Sequence, residues 1–378
     1  MRIPFNRYQI LGNEIKYIKE AIASGHISGD GKFTNKCNSY FEKFLGVKKC
    51  LLTTSCTDAL EMAALLIGLK PGDEIIVPSF TFVSTINAFV LRGAKPIFID
   101  IRSDTLNLDE TQLENLITDK TKAIVPVHYA GVGCEMNTIM DIANHYKIPV
   151  VEDNAHGLFG KYKGKYLGTF GTFSTQSFHE TKNISCGEGG SLNINDSKYI
   201  TRAEIIREKG TNRSRFFRGM VDKYTWVDIG SSFLPSDILA AILYAQLEQH
   251  DKTQAKRKMI WEYYNENLKD WAHKNSVGLP NIPENCDQAY HMFYLIMSSH
   301  KQRSALIEHL KENDIMAVFH YLPLHLSDMG EKFGYKIGEF PVTEKMSEYL
   351  IRLPFFNNIS ENDLLTVVDT VNKFQINK

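Results

Sequence analysis

Lys182 stands where an expected strand gives way to a glycine turn, in Ser177-Phe178-His179-Glu180-Thr181-Lys182-Asn183-Ile184-Ser185-Cys186-Gly187-Glu188-Gly189-Gly190. Residues Thr172 to Phe178 are rich in β-branched and aromatic types and predict a strand. The glycines let the chain reverse into another strand, Ser191 to Ile194. A lysine at such a junction is badly placed to pack and well placed to point. Kept away from water, its amine loses part of its proton at working pH and becomes a Schiff-base nucleophile toward a carbonyl. The plainer use of a loop lysine is as a solvated surface charge, so the rest of the chain has to decide.

Three further constellations bear on it. In Leu51-Leu52-Thr53-Thr54-Ser55-Cys56-Thr57-Asp58, a strand runs into Ser55, which caps a nearly all-apolar helix with Asp58 completing the capping box. A buried helix that begins with small hydroxyl residues offers free N–H groups and a positive dipole end to a phosphate. In Pro149-Val150-Val151-Glu152-Asp153, Asp153 ends an apolar strand and needs a cationic or hydrogen-bonding partner, which a protonated pyridine nitrogen supplies. His156 follows three residues later, within reach of a phenolic oxygen. Ser55, Phe82, His128 and Asp153 all fall at expected strand ends, where a parallel sheet collects its ligands. The third constellation is the polar and aromatic segment 210–235, with Arg213 and Tyr224. Arginines interleaved with aromatics suit a phosphate and a stacked base, or a partner subunit. His320 and Tyr321 sit in a loop of the C-terminal part and are further candidates for substrate contact.

These groups need a scaffold. Helices are expected over 13–24, with Ile15, Ile18, Ala21 and Ile22 on one face, and over 34–45. Short apolar strands, Glu74 to Pro78, Pro96 to Asp100, Ala123 to His128 and Pro149 to Asp153, alternate with helices. That pattern predicts an α/β fold with a mostly parallel central sheet covered on both faces. One long helix is expected from Ser236 into the 260s. It leads to a smaller C-terminal α/β domain with strands at 292–297 and 316–319 and helices at 303–312, 343–350 and beyond Ser360. The division expected is a large domain over 1–245 and a small one over 246–378.

With 378 residues, 43% of them hydrophobic, the chain can bury a large core. A net charge of -1 gives no bulk attraction to nucleic acid or to an anionic membrane. Cys37, Cys50, Cys56, Cys134, Cys186 and Cys286 show no C-x-x-C pairing, which argues against a zinc site or a disulfide framework and for a reducing cytoplasm. No metal is expected, and no apolar run approaches a membrane span.

Three separated stretches carry a resemblance over essentially the whole chain: Ser55 to Leu60, Val151 to His156, and Ser177 to Gly190. The chain resembles the pyridoxal 5'-phosphate-dependent sugar aminotransferases of the DegT/DnrJ/EryC/StrS type, of fold type I (aspartate aminotransferase-like). The resemblance implies that Lys182 holds the cofactor aldehyde and shuttles protons. It implies that Asp153 pairs with the pyridinium nitrogen, that Cys56, Thr57 and Ser177 hold the phosphate, that Phe82 stacks on the ring, and that His156 touches its 3-hydroxyl oxygen. It also implies a homodimer with shared active sites, and Ser232 as the residue presented to the neighbour's phosphate. Two positions depart from the family: His156 stands where Gln is usual, and Ser232 where many members carry Asn. Pro78 to Thr85, Ser177 to Asn183, Lys209 to Ser214 and His291 to Tyr294 look like the branch acting on dTDP-4-dehydro-6-deoxyglucose. The implied reaction is amination of that nucleotide sugar at C4 with L-glutamate, for surface polysaccharide. A C3 aminotransferase and a catalytically silent paralogue are the alternatives. Sugar 3-dehydratases of the family have His in place of the lysine, so Lys182 favours transamination.

Overall fold

A computed structural model describes residues 2–376. Its centre is a sheet of seven strands, in the order Lys95–Ile99, Glu74–Pro78, Thr121–Ile124, Val151–Asp153, Phe173–Ser177, Gly190–Ile194 and Lys49–Thr53. Two single bridges, Ile124 to Val150 and Val127 to Asp153, join its two halves. Six strands run parallel, and Gly190–Ile194 runs antiparallel to both neighbours. The apolar runs read as doubly buried strands because they are. Ile75 and Val77 pack on one face with Leu60, Ala63 and Phe98, whereas Ile76 between them packs on the other with Ile99, Ile124 and Ile139. Val151 and Val150 divide in the same way.

Residues from 260 to 371 build a second core, in which Trp261, Tyr264 and Leu268 of the His250–Lys274 helix meet Phe293, Leu295, Ile351 and Val367. A three-stranded antiparallel sheet lies in this part, with Leu350–Arg352 between Tyr294–Ile296 and Val318–Phe319. Ile3 belongs to this core too and bridges to Ile315, so the start of the chain crosses to the C-terminal part.

Several expectations need correction. The helix after Ser236 is two helices, Asp237–Leu247 and His250–Lys274. Gln249 leaves the helical region at φ -110 and ψ 13, and the His250 ring packs against Phe44 and Phe159 instead of continuing the first axis. The buried face of Glu14–Ala23 is Glu14, Tyr17 and Ala21, while Ile15 and Ile22 are exposed. Glu14 tolerates burial because its carboxylate accepts from the Leu11 and Gly12 amides at 2.7 and 2.8 Å. The 210–235 segment contains a short helix, Arg213–Phe217. The strand Leu350–Arg352 was not legible, because it follows the Pro341–Tyr349 helix without an intervening turn.

Two buried groups fix the strand ends. Glu152, facing away from Asp153, accepts N–H bonds from Gly168, Phe170 and Gly171 at 2.7–2.8 Å. His128 Nδ1 accepts from the Cys134 amide at 3.2 Å, so its proton is on Nε2, which donates to Glu152 at 3.0 Å. Gly190 lies against the start of the Cys56–Ile67 helix, and a Cβ there would sit on the Cys56 amide nitrogen and the Ser55 carbonyl. Backbone cannot yield as a side chain can, so Gly190→Ala is expected to cost about 1–3 kcal/mol. That should appear as a melting temperature lower by several degrees; an unchanged melting curve would show that the close approach is not needed.

Candidate active site

The carboxyl ends of three strands meet in one cavity of about 430 Å³. Lys49–Thr53 leads into Ser55 and the helix Cys56–Ile67, Val151–Asp153 ends on Asp153, and Phe173–Ser177 ends on Ser177. Ser55 Oγ accepts from the Asp58 amide at 3.0 Å, as the capping box predicts. The next residues, Cys56 and Thr57, line the cavity together with Ser177.

Asp153 is buried and held from two sides. Thr85 Oγ1 donates to Oδ2 at 2.7 Å, and the Ala155 amide donates to Oδ1 at 3.1 Å. Since the Thr85 proton is committed to Asp153, the 2.8 Å contact between Thr81 and Thr85 has Thr81 as donor. Hydroxyls therefore feed the carboxylate in series and fix its direction into the cavity.

Lys182 follows the strand end by five residues. Its amide donates to the His179 carbonyl at 2.9 Å, and the neighbouring backbone is pinned by Phe178 N–H to Gly189 O at 2.8 Å and Cys186 N–H to Phe178 O at 3.0 Å. Asn183 is tied to the C-terminal part: its amide nitrogen donates to the Ala289 carbonyl at 2.7 Å and its oxygen accepts from His291 Nδ1 at 2.9 Å. With backbone fixed on both sides, the side chain is presented to the cavity it lines. Burial pushes it down from 10.5 to about 8, against the opposing pull of Asp153. Burial also pushes the Cys56 thiol up, so it stands beside the amine uncharged.

The opposite wall is imidazole and phenol. The His156 and His291 rings stack at 4.2 Å and 17°. His156 Nδ1 is buried without a partner, and Nε2 lies 3.5 Å from the Tyr321 hydroxyl. His320 Nδ1 contacts the Tyr129 hydroxyl at 3.1 Å. Burial, reinforced by nearby cations, holds His156, His291 and His320 well below the usual histidine range, so all three are neutral at pH 7. Phe82 lies at the rim, 59% exposed, its ring 6.5 Å from that of Tyr321.

One cavity thus brings together Cys56, Thr57, Phe82, Asp153, His156, Ser177, Lys182, His320 and Tyr321. It does not include His128, which is committed to Glu152. Ser232 and Arg213 line a second cavity of about 700 Å³. There Arg213 pairs with Glu208 at 3.2 Å and lies over the Phe217 ring at 5.3 Å. Tyr224 is exposed and lines neither. Thr85, His291 and Arg352 belong to the first cavity by contact, and sequence reading gave them no role. Thr85 and His291 fall within the motif stretches Pro78 to Thr85 and His291 to Tyr294, whereas nothing in the sequence marks Arg352.

The residues fit pyridoxal 5'-phosphate. The cavity has the volume of a small-ligand site, a partly neutral amine on one side, a capped helix start for a phosphate, and an orphaned imidazole nitrogen in need of a polar partner. Fold and site together define an enzyme built around a covalently held aldehyde. The model of the DegT/DnrJ/EryC1/StrS aminotransferase family matches residues 9–372, and the chain belongs to that family. It is an aminotransferase of fold type I, and pyridoxal 5'-phosphate is its cofactor. An uncharacterized protein of Methanocaldococcus jannaschii is 35% identical over 369 residues, 95% of this chain and 94% of that one. GDP-perosamine synthase of Escherichia coli O157:H7 is 32% identical over 379 residues, 100% of this chain and 99% of that one. Among solved structures, the PLP-form of Spr1654 from Streptococcus pneumoniae superposes with a TM-score of 0.90 at 25% identity, covering 98% of this chain and 97% of that one.

The position of the Lys182 titration is testable. Only the neutral amine attacks an aldehyde, so the rate at which cofactor-free protein captures pyridoxal phosphate should rise with pH through a midpoint near 8. Stopped-flow absorbance across pH 6.5–10 checks it. A rate still climbing without a plateau at pH 10 would mean an ordinary, hydrated lysine.

Proposed function

We propose that this chain aminates a nucleotide-linked keto-deoxysugar at C4, dTDP-4-dehydro-6-deoxy-D-glucose above all, with L-glutamate as amino donor, for surface polysaccharide. The observation that carries the reading is the placement of Lys182 and Asp153 in one cavity, with the Cys56–Ile67 helix start beside them. The branch choice draws on the stretches Pro78 to Thr85, Ser177 to Asn183 and Lys209 to Ser214.

In this reading Cys56 and Thr57, through their amides and the Thr57 hydroxyl, and Ser177 through its hydroxyl, hold the phosphate. Asp153 faces the ring nitrogen, Phe82 covers the ring and the neutral His156 meets the phenolic oxygen. The cofactor, when bound, supplies an electron sink that stabilises negative charge next to the transferred nitrogen. Lys182 Nζ takes a proton from the donor's α-carbon in one half-reaction and gives a proton to the sugar's C4 in the other. An amine titrating near 8 exchanges that proton easily in both directions. The neutral imidazoles and phenols around it leave the moving charge to Lys182 and Asp153.

A homodimer with shared sites is part of the proposal. Phe217, Trp226 and Ile229 are exposed in the segment that also holds Arg213 and Ser232, which supports a partner surface there. Tyr224 and Arg213 then contact the neighbour's nucleotide, Ser232 its phosphate, and His320 and Tyr321 the sugar within the same chain. Six free cysteines suit a cytoplasmic enzyme. The second reading is a GDP-linked keto-sugar, which the name of the Escherichia coli relative favours.

Purified enzyme given L-glutamate and dTDP-4-dehydro-6-deoxyglucose should yield a dTDP-4-amino-4,6-dideoxyhexose, identified by NMR. Lys182→Ala should lower the rate by at least about 10³-fold while still binding cofactor. Turnover of the GDP-linked substrate alone would establish the second reading, and near-normal activity of Lys182→Ala would refute the role given to that residue.

A further inference from the structure

Ser79, His325 and Glu344 form a chain of contacts that the site described above does not use. Ser79 follows the Glu74–Pro78 strand, His325 lies in the turn Leu324–Leu326, and Glu344 lies in the Pro341–Tyr349 helix. Ser79 and His325 are fully buried. Ser79 Oγ accepts from the His325 amide at 3.1 Å and lies 2.7 Å from His325 Nδ1. His325 Nε2 lies 3.1 Å from Glu344 Oε1, which also accepts from the Gly338 amide at 2.7 Å. The proton assignment that satisfies every atom has Nε2 donating to the carboxylate and the Ser79 hydroxyl donating to Nδ1. A serine, an imidazole and a carboxylate in this order also make a hydrolytic nucleophile. Here no substrate reaches Ser79, which is fully buried and lines neither cavity.

What matters is what the two ends of the chain carry. The Leu324 amide donates to the Ser79 carbonyl at 3.1 Å, so Ser79 is tied to residues 324 and 325 through backbone and side chain alike. Shortly after Ser79 stands Phe82 at the cavity rim, and Thr81 and Thr85 of the same stretch direct Asp153. Shortly before Leu324 stand His320 and Tyr321, in the opposite wall. The Tyr321 ring lies 5.6 Å from that of Phe80 and 6.5 Å from that of Phe82, so it spans the two segments. These segments come from distant parts of the chain, and a buried polar network with every member satisfied is rigid enough to fix their spacing. We propose that Ser79, His325 and Glu344 are positioning residues. They hold the Phe82 segment and the His320–Tyr321 segment at one separation, and so set the width of the cavity over the cofactor ring and toward the substrate. The sugar side of this inference rests on the transamination reading above. None of the three touches a reacting atom, yet a displacement of about 1 Å in the groups they hold is enough to lower a rate by about 10²-fold.

Two truncations cut the chain at different ends. Ser79→Ala removes the donor to Nδ1, and Glu344→Ala removes the acceptor at Nε2 from a position that solvent reaches. Release of pyridoxal phosphate from holoenzyme, followed by absorbance well below the melting transition, should be about tenfold faster in both, a factor of the size one buried hydrogen bond carries. The KM for the keto-sugar should rise by a similar factor, and the circular dichroism of the bound cofactor should weaken as its ring is held less firmly. Glu344→Gln keeps an oxygen for the imidazole and should stay within about twofold of wild type. The pH midpoint for cofactor capture should stay near 8 in every variant, because the chain does not reach Lys182. A lower melting temperature with unchanged cofactor release and dichroism would make the chain merely structural and overturn the assignment. So would losses in Glu344→Gln equal to those in Glu344→Ala, or a capture midpoint that moves up toward that of a hydrated lysine. Failure of the wild-type enzyme to aminate the sugar would defeat the substrate reading alone, since cofactor release and dichroism still decide the role of the chain.

Discussion

The structure depends on drawing one amine partly out of water. Lys182 stands at the cavity wall with an uncharged thiol, neutral imidazoles and phenols around it, and the carboxylate of Asp153 as the opposing charge. Removing water from an ammonium costs more than a single carboxylate at the far side returns, so the amine titrates low. A lysine in this state is both a nucleophile toward an aldehyde and a proton carrier near neutral pH. Every other feature of the site is explained by what it does for that state or for the group the amine would hold.

The scaffold enforces it with backbone. Glu152 and Asp153 are consecutive in one strand and so face opposite sides. The first ties three amides and His128 beneath the sheet end, and the second aims at the cavity through Thr85 and Ala155. Gly190 lets the antiparallel strand approach the helix start closely, and Cys56 and Thr57 at that start line the same cavity as Lys182. The Asn183–His291 bond then joins the lysine loop to the C-terminal part, which contributes His320, Tyr321 and Arg352 to the opposite wall.

Legibility in the sequence followed the range of the interaction. Apolar runs such as Glu74–Pro78 announced their strands, because burial on both faces leaves few polar positions. Ser55 and Asp58 announced a helix start through a contact three residues long. Asp153 and Ser177 were readable because each sits at the end of a strand, and Lys182 because it stands between a strand end and a glycine turn. What was hidden is long-range. The break at Gln249 depends on where the His250 ring packs, and the buried face of the first helix depends on what Glu14 can bond. Arg352 looked like any surface arginine, since nothing nearby in sequence shows that its strand ends at a cavity 170 residues from Lys182. Ser232 and Arg213 sit together at a second cavity, so within the single chain they are not part of the Lys182 site.

The most direct measurement is chemical. Holoenzyme treated with borohydride, then digested and mapped by mass spectrometry, should carry a single reduced pyridoxyl adduct on the peptide containing Lys182, with no adduct in Lys182→Ala. An adduct on another lysine, or cofactor bound with no covalent trace, would contradict the account.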